Sequence, residues 1–240
     1  MMAFRHGKNT SVFYNGANLT RFFNEASIAN SVETAETTAF GDDAKKYITG
    51  LKDGTISLSG MFDGSANAVD QTLSGVVGAT AADVVTVAPD GAVSGRRAFF
   101  CTARETSYEV TAPVSDVVAA NGEVQATEGI FAGYLLGILS SVSASGASSS
   151  LDNSAATSNG GVGVLHVTTN SRDGASTFKV QHSADNVSFV DLLTFASVAA
   201  SAVGGEQVSV TGTVNQYIRA AYTPGGTSGS VTYTMAFSRK

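Results

Sequence analysis

Apolar and polar residues alternate along several short stretches in the first 140 positions of the sequence. In the stretch Thr55–Phe62, the apolar residues lie on one side of the chain and Ser or Thr on the other. This period of two predicts β-strands with one buried and one solvated face. Asn15-Gly16 between two β-prone runs predicts a hairpin over Ser11–Leu19. The strands predicted from this pattern are Phe22–Ser31, Thr55–Phe62, Arg104–Thr111 and Val118–Thr127.

One segment follows a helical period instead. Apolar residues recur at helical spacing between Val69 and Val77, after Ser65 as a possible N-cap and before Gly78 as a stop signal. We therefore predict one helix at about residues 66–77, flanking the strands of the first half.

The second half consists of short β-prone runs separated by Gly, Asn or Ser turns. Six such runs between residues 162 and 240 predict an immunoglobulin-like β-sandwich. Before them, residues 140–161 are dominated by Ser, Ala, Asn and Gly, a composition typical of flexible linkers. We predict an all-β protein with a domain at 1–140, a flexible linker at 141–161 and a sandwich domain at 162–240.

The polar faces of the predicted strands are rich in Ser, Thr and Glu and poor in long basic residues. An antiparallel sheet with one solvated side would show this pattern, and so would a sheet that lines a water-filled channel. The residues of these faces that are candidates for a channel lining are Thr55, Ser57, Ser59, Glu105, Ser107, Glu109, Glu123, Gln125 and Thr127.

Composition and charge exclude several classes of protein. Of 240 residues, 14 are basic and 20 acidic, so the net charge of −6 argues against tight binding of nucleic acid. A single cysteine, Cys101, excludes an internal disulfide framework and a thiolate zinc cage. The most apolar stretch, 129–142, is about half as long as a membrane-spanning helix, so we expect no membrane insertion. No secretory signal is visible, and we expect a chain made in the cytoplasm.

Residues of catalytic type occur without a catalytic arrangement. His182, Ser183 and Asp185 are the residue types of a hydrolase triad, but they crowd into one turn, whereas triad members come from separate elements. Asp42-Asp43 lacks the ligand spacing of a calcium loop. We expect no enzymatic activity, no metal site and no cofactor.

Two segments resemble a known family. They are residues 31–62, SVETAETTAFGDDAKKYITGLKDGTISLSGMF, and residues 106–128, TSYEVTAPVSDVVAANGEVQATE. The first segment resembles the major tail tube protein of long-tailed, non-contractile bacteriophages. The resemblance lies in the order of its parts: an acidic Thr-rich segment, a Gly-Asp turn, a Lys-Tyr-Ile-x-Gly-Leu-Lys-Asp-Gly stretch and a Ser-rich strand. Residues 162–240 look like a β-sandwich appended to some tail proteins.

The resemblance implies a structural virion protein located in the phage tail. Its subunits would form hexameric rings that stack into a hollow tube, with strands of every subunit lining a lumen that conducts DNA during ejection. Implied partners are other copies of the chain, the tape measure, terminator and baseplate or tip proteins, and DNA in transit. The candidate channel residues would face the lumen, where glutamates repel the polyanion and basic residues would retain it. An arm contacting a neighbouring subunit or ring would include Glu33, Glu36, Asp42, Asp43, Lys45, Lys46 and Tyr47.

Two other functions stay open on the sequence. The first is a binding module for carbohydrate or host surface, in which aromatic residues of the second half stack on sugar. Its candidate contacts are Phe189, Tyr217 and Tyr222. The second is another virion part, such as a capsid decoration protein or a tail terminator.

Overall fold

Sixteen strands and one short α-helix make up the regular structure of residues 6–240, the part of the chain that a computed structural model describes, apart from the side chains of residues 139 and 140. The predicted all-β fold class is confirmed. A 3-10 turn at Gly7–Asn9 precedes the first strand. The elements are β1 (Ser11–Tyr14), β2 (Ala17–Asn18), β3 (Phe23–Glu36), β4 (Tyr47–Met61), α1 (Val69–Leu73), β5 (Asp83–Ala88), β6 (Arg97–Thr111), β7 (Ala119–Ala126), β8 (Phe131–Val142), β9 (Gly146–Ala147), β10 (Leu151–Asp152), β11 (Gly161–Asn170), β12 (Gly174–Ser183), β13 (Val190–Thr194), β14 (Gly204–Val210), β15 (Tyr217–Gly225) and β16 (Val231–Arg239).

The predicted β1–β2 hairpin is present. Asn15 and Gly16 have φ angles of 43° and 88°, as a two-residue turn with two left-handed positions requires. A side chain at Gly16 would also collide with the backbone of Gly204, so glycine is required there by space as well.

The helix is shorter than predicted. It covers Val69–Leu73, and its N-cap is Ala68, which has no side chain that could bond the first turn. The predicted cap, Ser65, instead bonds Asp63 through both its N–H and its hydroxyl. Val69 and Leu73 are buried, so packing rather than capping holds this single turn in place.

One large sheet runs through both halves of the chain. Its strand order is β14-β11-β16-β8-β6-β5-β1-β2, and a second branch leaves β6 as β7-β4-β3. The branch exists because β6 is long: its first part pairs with β5 and β8, and its second part with β7. A smaller sheet, β10-β15-β12-β13, packs on the C-terminal strands and completes the predicted sandwich.

Contacts cross the predicted domain boundary. Strand β8 pairs with both β6 and the C-terminal strand β16. A buried cluster combines Phe100 and Leu135 with Val164 and Ala236 of the second half. The segment 141–161, expected to be a flexible linker, contributes β9 and β10, which both pair with β15. The structure differs from the expectation here because β15 offers backbone hydrogen-bond partners to both short strands.

A buried histidine joins the two halves. The Gly16 N–H donates to His166 Nδ1 at 3.2 Å, and His166 Nε2 lies 2.8 Å from the Thr86 hydroxyl. Because Nδ1 accepts, Nε2 carries the hydrogen that Thr86 receives. Burial lowers the pKa of His166 from 6.5 to about 3, so the ring is neutral at physiological pH.

Candidate functional site: a polar sheet with open edges and apolar ends

Four strands, β3-β4-β7-β6, form a sheet with one polar and one apolar surface. The side chains of Ile56, Leu58 and Val124 point into the core. On the other surface, cross-strand rows of polar residues follow the register of the pairs. We call this surface the polar face. It consists of Glu25, Ser27, Thr55, Ser57, Ser59, Ser107, Glu109, Asn121, Glu123, Gln125, Thr127 and Arg104.

The four strands predicted as the inner wall are therefore consecutive neighbours in one sheet. Their polar residues also contact each other: Ser57 Oγ donates to Glu123 Oε2 at 3.3 Å. Thr127 Oγ1 lies 2.8 Å from Thr102 Oγ1 and donates to the Thr102 carbonyl at 3.0 Å. All the predicted channel residues except one share this face.

The exception is Glu105, and the prediction that it faces a channel is wrong for this structure. Glu105 is only 3% exposed and points into the core. The pairing of β6 with β7 shifts by one residue between Glu105 and Ser107. Such a β-bulge reverses the side on which later residues lie. Ser107 and Glu109 consequently lie on the polar face, and Glu105 on the opposite one.

Glu105 belongs to a buried carboxylate–phenol cluster. The Tyr14 hydroxyl lies 3.1 Å from Glu105 Oε2 and 3.2 Å from Asp83 Oδ2. The Asn15 amide donates to the other oxygen of Asp83 at 3.1 Å. Burial raises the pKa of Glu105 to about 7, and the charge of Asp83 adds to this effect. Since one phenol hydrogen cannot serve two carboxylates, a proton on Glu105 allows both contacts to be hydrogen bonds.

The structure adds four residues to the polar face that the sequence pattern did not single out: Glu25, Ser27, Asn121 and Arg104. Glu25 and Asn121 share a row with Ser59. Arg104 supplies a cation, but its guanidinium donates to the carbonyls of Ala79 and Thr80 at the margin of the sheet. The alternation of Glu25 and Ser27 in the sequence was the available signal for the first of these.

Both outer edges of this sheet are open. Among the described strands, β3 pairs only with β4, and β6 beyond Glu105 pairs only with β7. A groove of about 530 Å³ lies along the start of β3, between Phe23–Ala26 and the segment that contains Lys8 and Thr20. Natural sheets seldom leave a long edge strand uncovered, so these two edges are candidates for pairing with another chain.

The predicted arm is a hairpin formed by the outer parts of β3 and β4 and residues 37–46. Its charges bond within the arm: Lys45 Nζ lies 3.3 Å from Glu36, and Lys46 is paired with Asp42. The Lys46 contact also lowers the pKa of Asp42. Glu33, Asp43 and the side chain of Tyr47 are exposed. The arm also exposes large apolar groups: Val32, Phe40, Tyr47, Ile48 and Leu51.

The opposite end of the sheet is also apolar. Residues 112–118 connect β6 to β7 there, next to the end of β4. Its exposed large side chains are Met61, Phe62, Val110, Val114, Val117 and Val118. One sheet therefore carries two different apolar patches at its two ends.

The three aromatic residues predicted as sugar contacts lie in three different environments. Tyr222 is half-buried and packs on Tyr233 of the sandwich core, with ring centroids 5.5 Å apart. Phe189 lies under the Arg219 guanidinium, with its ring centroid 3.8 Å from Arg219 Cζ. Tyr217 is partly exposed and lies opposite Ser183 on the neighbouring strand.

The hydrogen bonds of His182, Ser183 and Asp185 are those of a turn and not of a catalytic triad. Ser183 Oγ donates to Asp185 Oδ1 at 2.7 Å, and the same oxygen accepts the N–H groups of Val187 and Ser188. His182 Nδ1 accepts from the Asn215 N–H instead. Between residues 6 and 240, the His, Cys, Asp and Glu side chains form no group of three or more that could hold a metal ion. No helix of the described chain is long and apolar enough to cross a bilayer.

No protein-family model matches the chain, and no curated protein matches it. Among solved structures, the chain is similar to a component of the virion of a native gene transfer agent particle, with 14% identity, a TM-score of 0.45, and coverage of 52% of this chain and 96% of that one. It is similar to a chain of an extracellular contractile injection system, a PVC sheath–tube complex in the extended state, with 13% identity, a TM-score of 0.42 and coverage of 53% and 89%.

A third similar structure is the SPP1 Dit (gp 19.1) protein, described as a hub adsorption apparatus in phages that infect Gram-positive bacteria. It has 10% identity, a TM-score of 0.38, and coverage of 95% of this chain and 98% of that one. These are likenesses of fold alone.

Proposed function

We propose that the chain is a structural tail protein whose copies form rings, and that the rings stack into a hollow tube that conducts DNA. The observation that carries this proposal is the β3-β4-β7-β6 sheet, which has a polar face and two open edges. The location implied is the phage tail, after assembly in the host cytoplasm.

Ring closure follows from the two open edges. Pairing β3 of one subunit with the free part of β6 of the next would join the four-stranded sheets into a barrel, which removes all edges. The groove beside the start of β3 leaves room for such a strand. For six subunits, a strand spacing of about 4.8 Å and a tilt of about 40° give a barrel of about 24 strands with a backbone diameter of about 48 Å.

The polar face would then become the wall of the lumen. Its carboxylates, Glu25, Glu109 and Glu123, are solvent-exposed. Its cation, Arg104, is held by two backbone carbonyls. Such a wall supplies few cations that could replace the counterions of DNA, so it would not bind the polyanion tightly.

Stacking of rings would use the two apolar ends. The arm exposes Phe40 and Leu51, and the opposite end exposes Val114 and Met61. A contact between two different patches of identical subunits is heterologous. Repeated from subunit to subunit, such a contact builds an open filament unless the assembly closes into a ring. Such contacts along the barrel axis would build a tube. Since the charges of the arm largely bond one another, apolar contact rather than charge complementarity would dominate there.

Electron microscopy of the purified full chain tests the tube, and cysteine cross-linking tests the edges. Ser27→Cys is combined in turn with Ser107→Cys and with Glu109→Cys, to sample two registers. Paired strands place such residues within disulfide distance. Oxidation should give a ladder of covalent oligomers that ends at the ring size. The native Cys101 is buried and its pKa is raised to about 12, so it should not react.

The control is Ser27→Cys with Ser57→Cys, which are neighbours within one subunit and should oxidise without forming a ladder. Long hollow filaments together with a ladder support the proposal. A ladder with discrete rings only would favour a terminator, and the absence of both ladder and filaments contradicts the proposal.

A further inference from the structure

A groove of about 370 Å³ crosses the outer face of the C-terminal sandwich, between β9, β15 and β12. Ala221 lies at its centre, paired with Lys179 on one side and Ala147 on the other. The small side chain of Ala221 leaves the space between the larger residues around it. The lining includes two cations, Lys179 and Arg219, with hydroxyl and amide groups and no carboxylate. This stands out in a protein with a net charge of −6.

The Arg219 guanidinium is held in a fixed orientation. Its Nε donates to Gln181 Oε1 at 3.0 Å, and the Gln181 amide in turn donates to Asp191 Oδ1 at 2.9 Å. The Phe189 ring covers one face of the guanidinium at 3.8 Å. These contacts use Nε and one face, and the two terminal amino groups have no hydrogen-bond partner among the described residues. A guanidinium held in this way binds a carboxylate or phosphate with two parallel hydrogen bonds.

The second cation of the groove is largely neutralised. Lys179 Nζ lies 2.6 Å from Asp191 Oδ2. Among the described residues, the groove therefore offers one free cation, which matches one oxyanion and not a series of phosphates. Residues 141–240 as a whole include five basic and five acidic residues. Duplex DNA, whose affinity depends on several phosphate contacts, is a poorer match to this surface than a ligand with a single acidic group.

We propose that this groove binds an acidic saccharide: a hydroxyl-rich ligand whose oxyanion is bound by Arg219. The hydroxyls of Thr177 and Thr223 line the same groove and provide partners for sugar hydroxyls. The volume lies at the lower end of the range for small-ligand sites, roughly 300–1,000 Å³. This site lies on a different sheet from the polar face and does not depend on tube formation.

Calorimetric titration of the full chain tests the site. The probes are trigalacturonate for a carboxylate, glucose 6-phosphate for a phosphate, maltotriose as a neutral sugar, and a short DNA duplex. We expect binding of at least one acidic sugar, weakened by salt, and none of maltotriose. Arg219→Gln should weaken binding at least about tenfold, as expected on losing a bidentate charged contact.

Ala221→Leu provides a second variant because it fills the groove and keeps Arg219 in place. It should also abolish binding. Arg97→Gln is the matched control: Arg97 is exposed over the Tyr134 ring, 4.8 Å from its centroid, in the other half of the chain. That variant should bind as the wild type does.

Three results would overturn the proposal. They are no binding of either acidic sugar up to about 10 mM, unchanged affinity in both Arg219→Gln and Ala221→Leu, and binding of the DNA duplex alone. The first two would remove the site, and the third would replace its ligand class.

Discussion

His166 should make the junction between the two halves sensitive to acid. The unfolded chain takes up a proton on this ring below pH 6.5, whereas the folded protein does so only near pH 3. The stability that the neutral ring provides is therefore fully present above pH 6.5 and is lost as the pH falls towards 3. Each pH unit in this window costs about 1.4 kcal/mol. Acidification from pH 8 to 4.5 should remove about 2.7 kcal/mol by this route.

Glu105 acts in the opposite direction. Its pKa is raised from 4.5 to about 7, so the folded state holds this proton more tightly than the unfolded state does. Its contribution to stability therefore falls as the pH rises from 4.5 to 7. Between pH 4.5 and 6.5 the two groups offset each other, and the wild type should show a flatter pH dependence than either group alone would produce.

The test is urea denaturation of the full chain at pH 8 and pH 4.5, at a protein concentration where no filaments sediment. His166→Gln retains an acceptor and a donor for Gly16 and Thr86 but does not titrate. At pH 8 imperfect hydrogen bonds should cost it about 1.5 kcal/mol relative to the wild type. At pH 4.5 the order should invert, and the variant should be the more stable by about 1 kcal/mol.

Thr86→Val serves as the control because it removes a hydrogen-bond partner without removing a titrating group. It should lower stability by a similar amount at both pH values. If the difference between His166→Gln and the wild type is the same at both pH values, the buried neutral histidine is not the origin of acid sensitivity, and the reasoning fails.

Three further outcomes are expected. The double variant Glu109→Lys with Glu123→Lys should fold and assemble, since both side chains are exposed. Phage tails built from this variant should eject DNA slowly, with rescue at high salt. Glu105→Lys should instead fail to fold, which expression and circular dichroism would show. Arg172→Met should lower the free energy of unfolding by about 3 kcal/mol in a urea titration, because the buried guanidinium donates to the carbonyls of Gly225, Gly226 and Gly229. Truncation after residue 140 should give an aggregating chain in sedimentation, since β8 loses β16; a stable truncated protein that forms tubes would instead support separate domains.

Local patterns predicted the elements well where the chain is regular. The alternation along Thr55–Phe62 and the Asn15-Gly16 turn both correspond to observed structure. In β15 the same alternation also indicates how Tyr222 is oriented. Tyr222 alternates in phase with Ile218 and Ala220, so its side chain lies on the core side of the strand. The prediction of Tyr222 as a surface contact depends on residue type alone and does not include that phase.

Other features depend on contacts that no local pattern contains. The bulge after Glu105 leaves no residue-type signal, yet it decides which glutamates share the polar face. The pairing of β8 with β16 joins strands about 100 positions apart in the chain. The Ser- and Ala-rich composition of 141–161 is typical of a linker, and only the available edge of β15 explains its short strands.

The continuous sheet connects the two proposed functions mechanically. Ring closure would use the edges of β3 and β6, while the saccharide groove lies on the separate sheet of β12 and β15. Strand β8 pairs with β6 on one side and β16 on the other. The cluster around Phe100 and Val164 is buried between the halves, so a close-packed contact joins them instead of a flexible tether. Each ring would then present its copies of the groove at fixed positions, and weak single-site binding would gain from this repetition wherever a ligand presents several acidic sugars at a matching spacing.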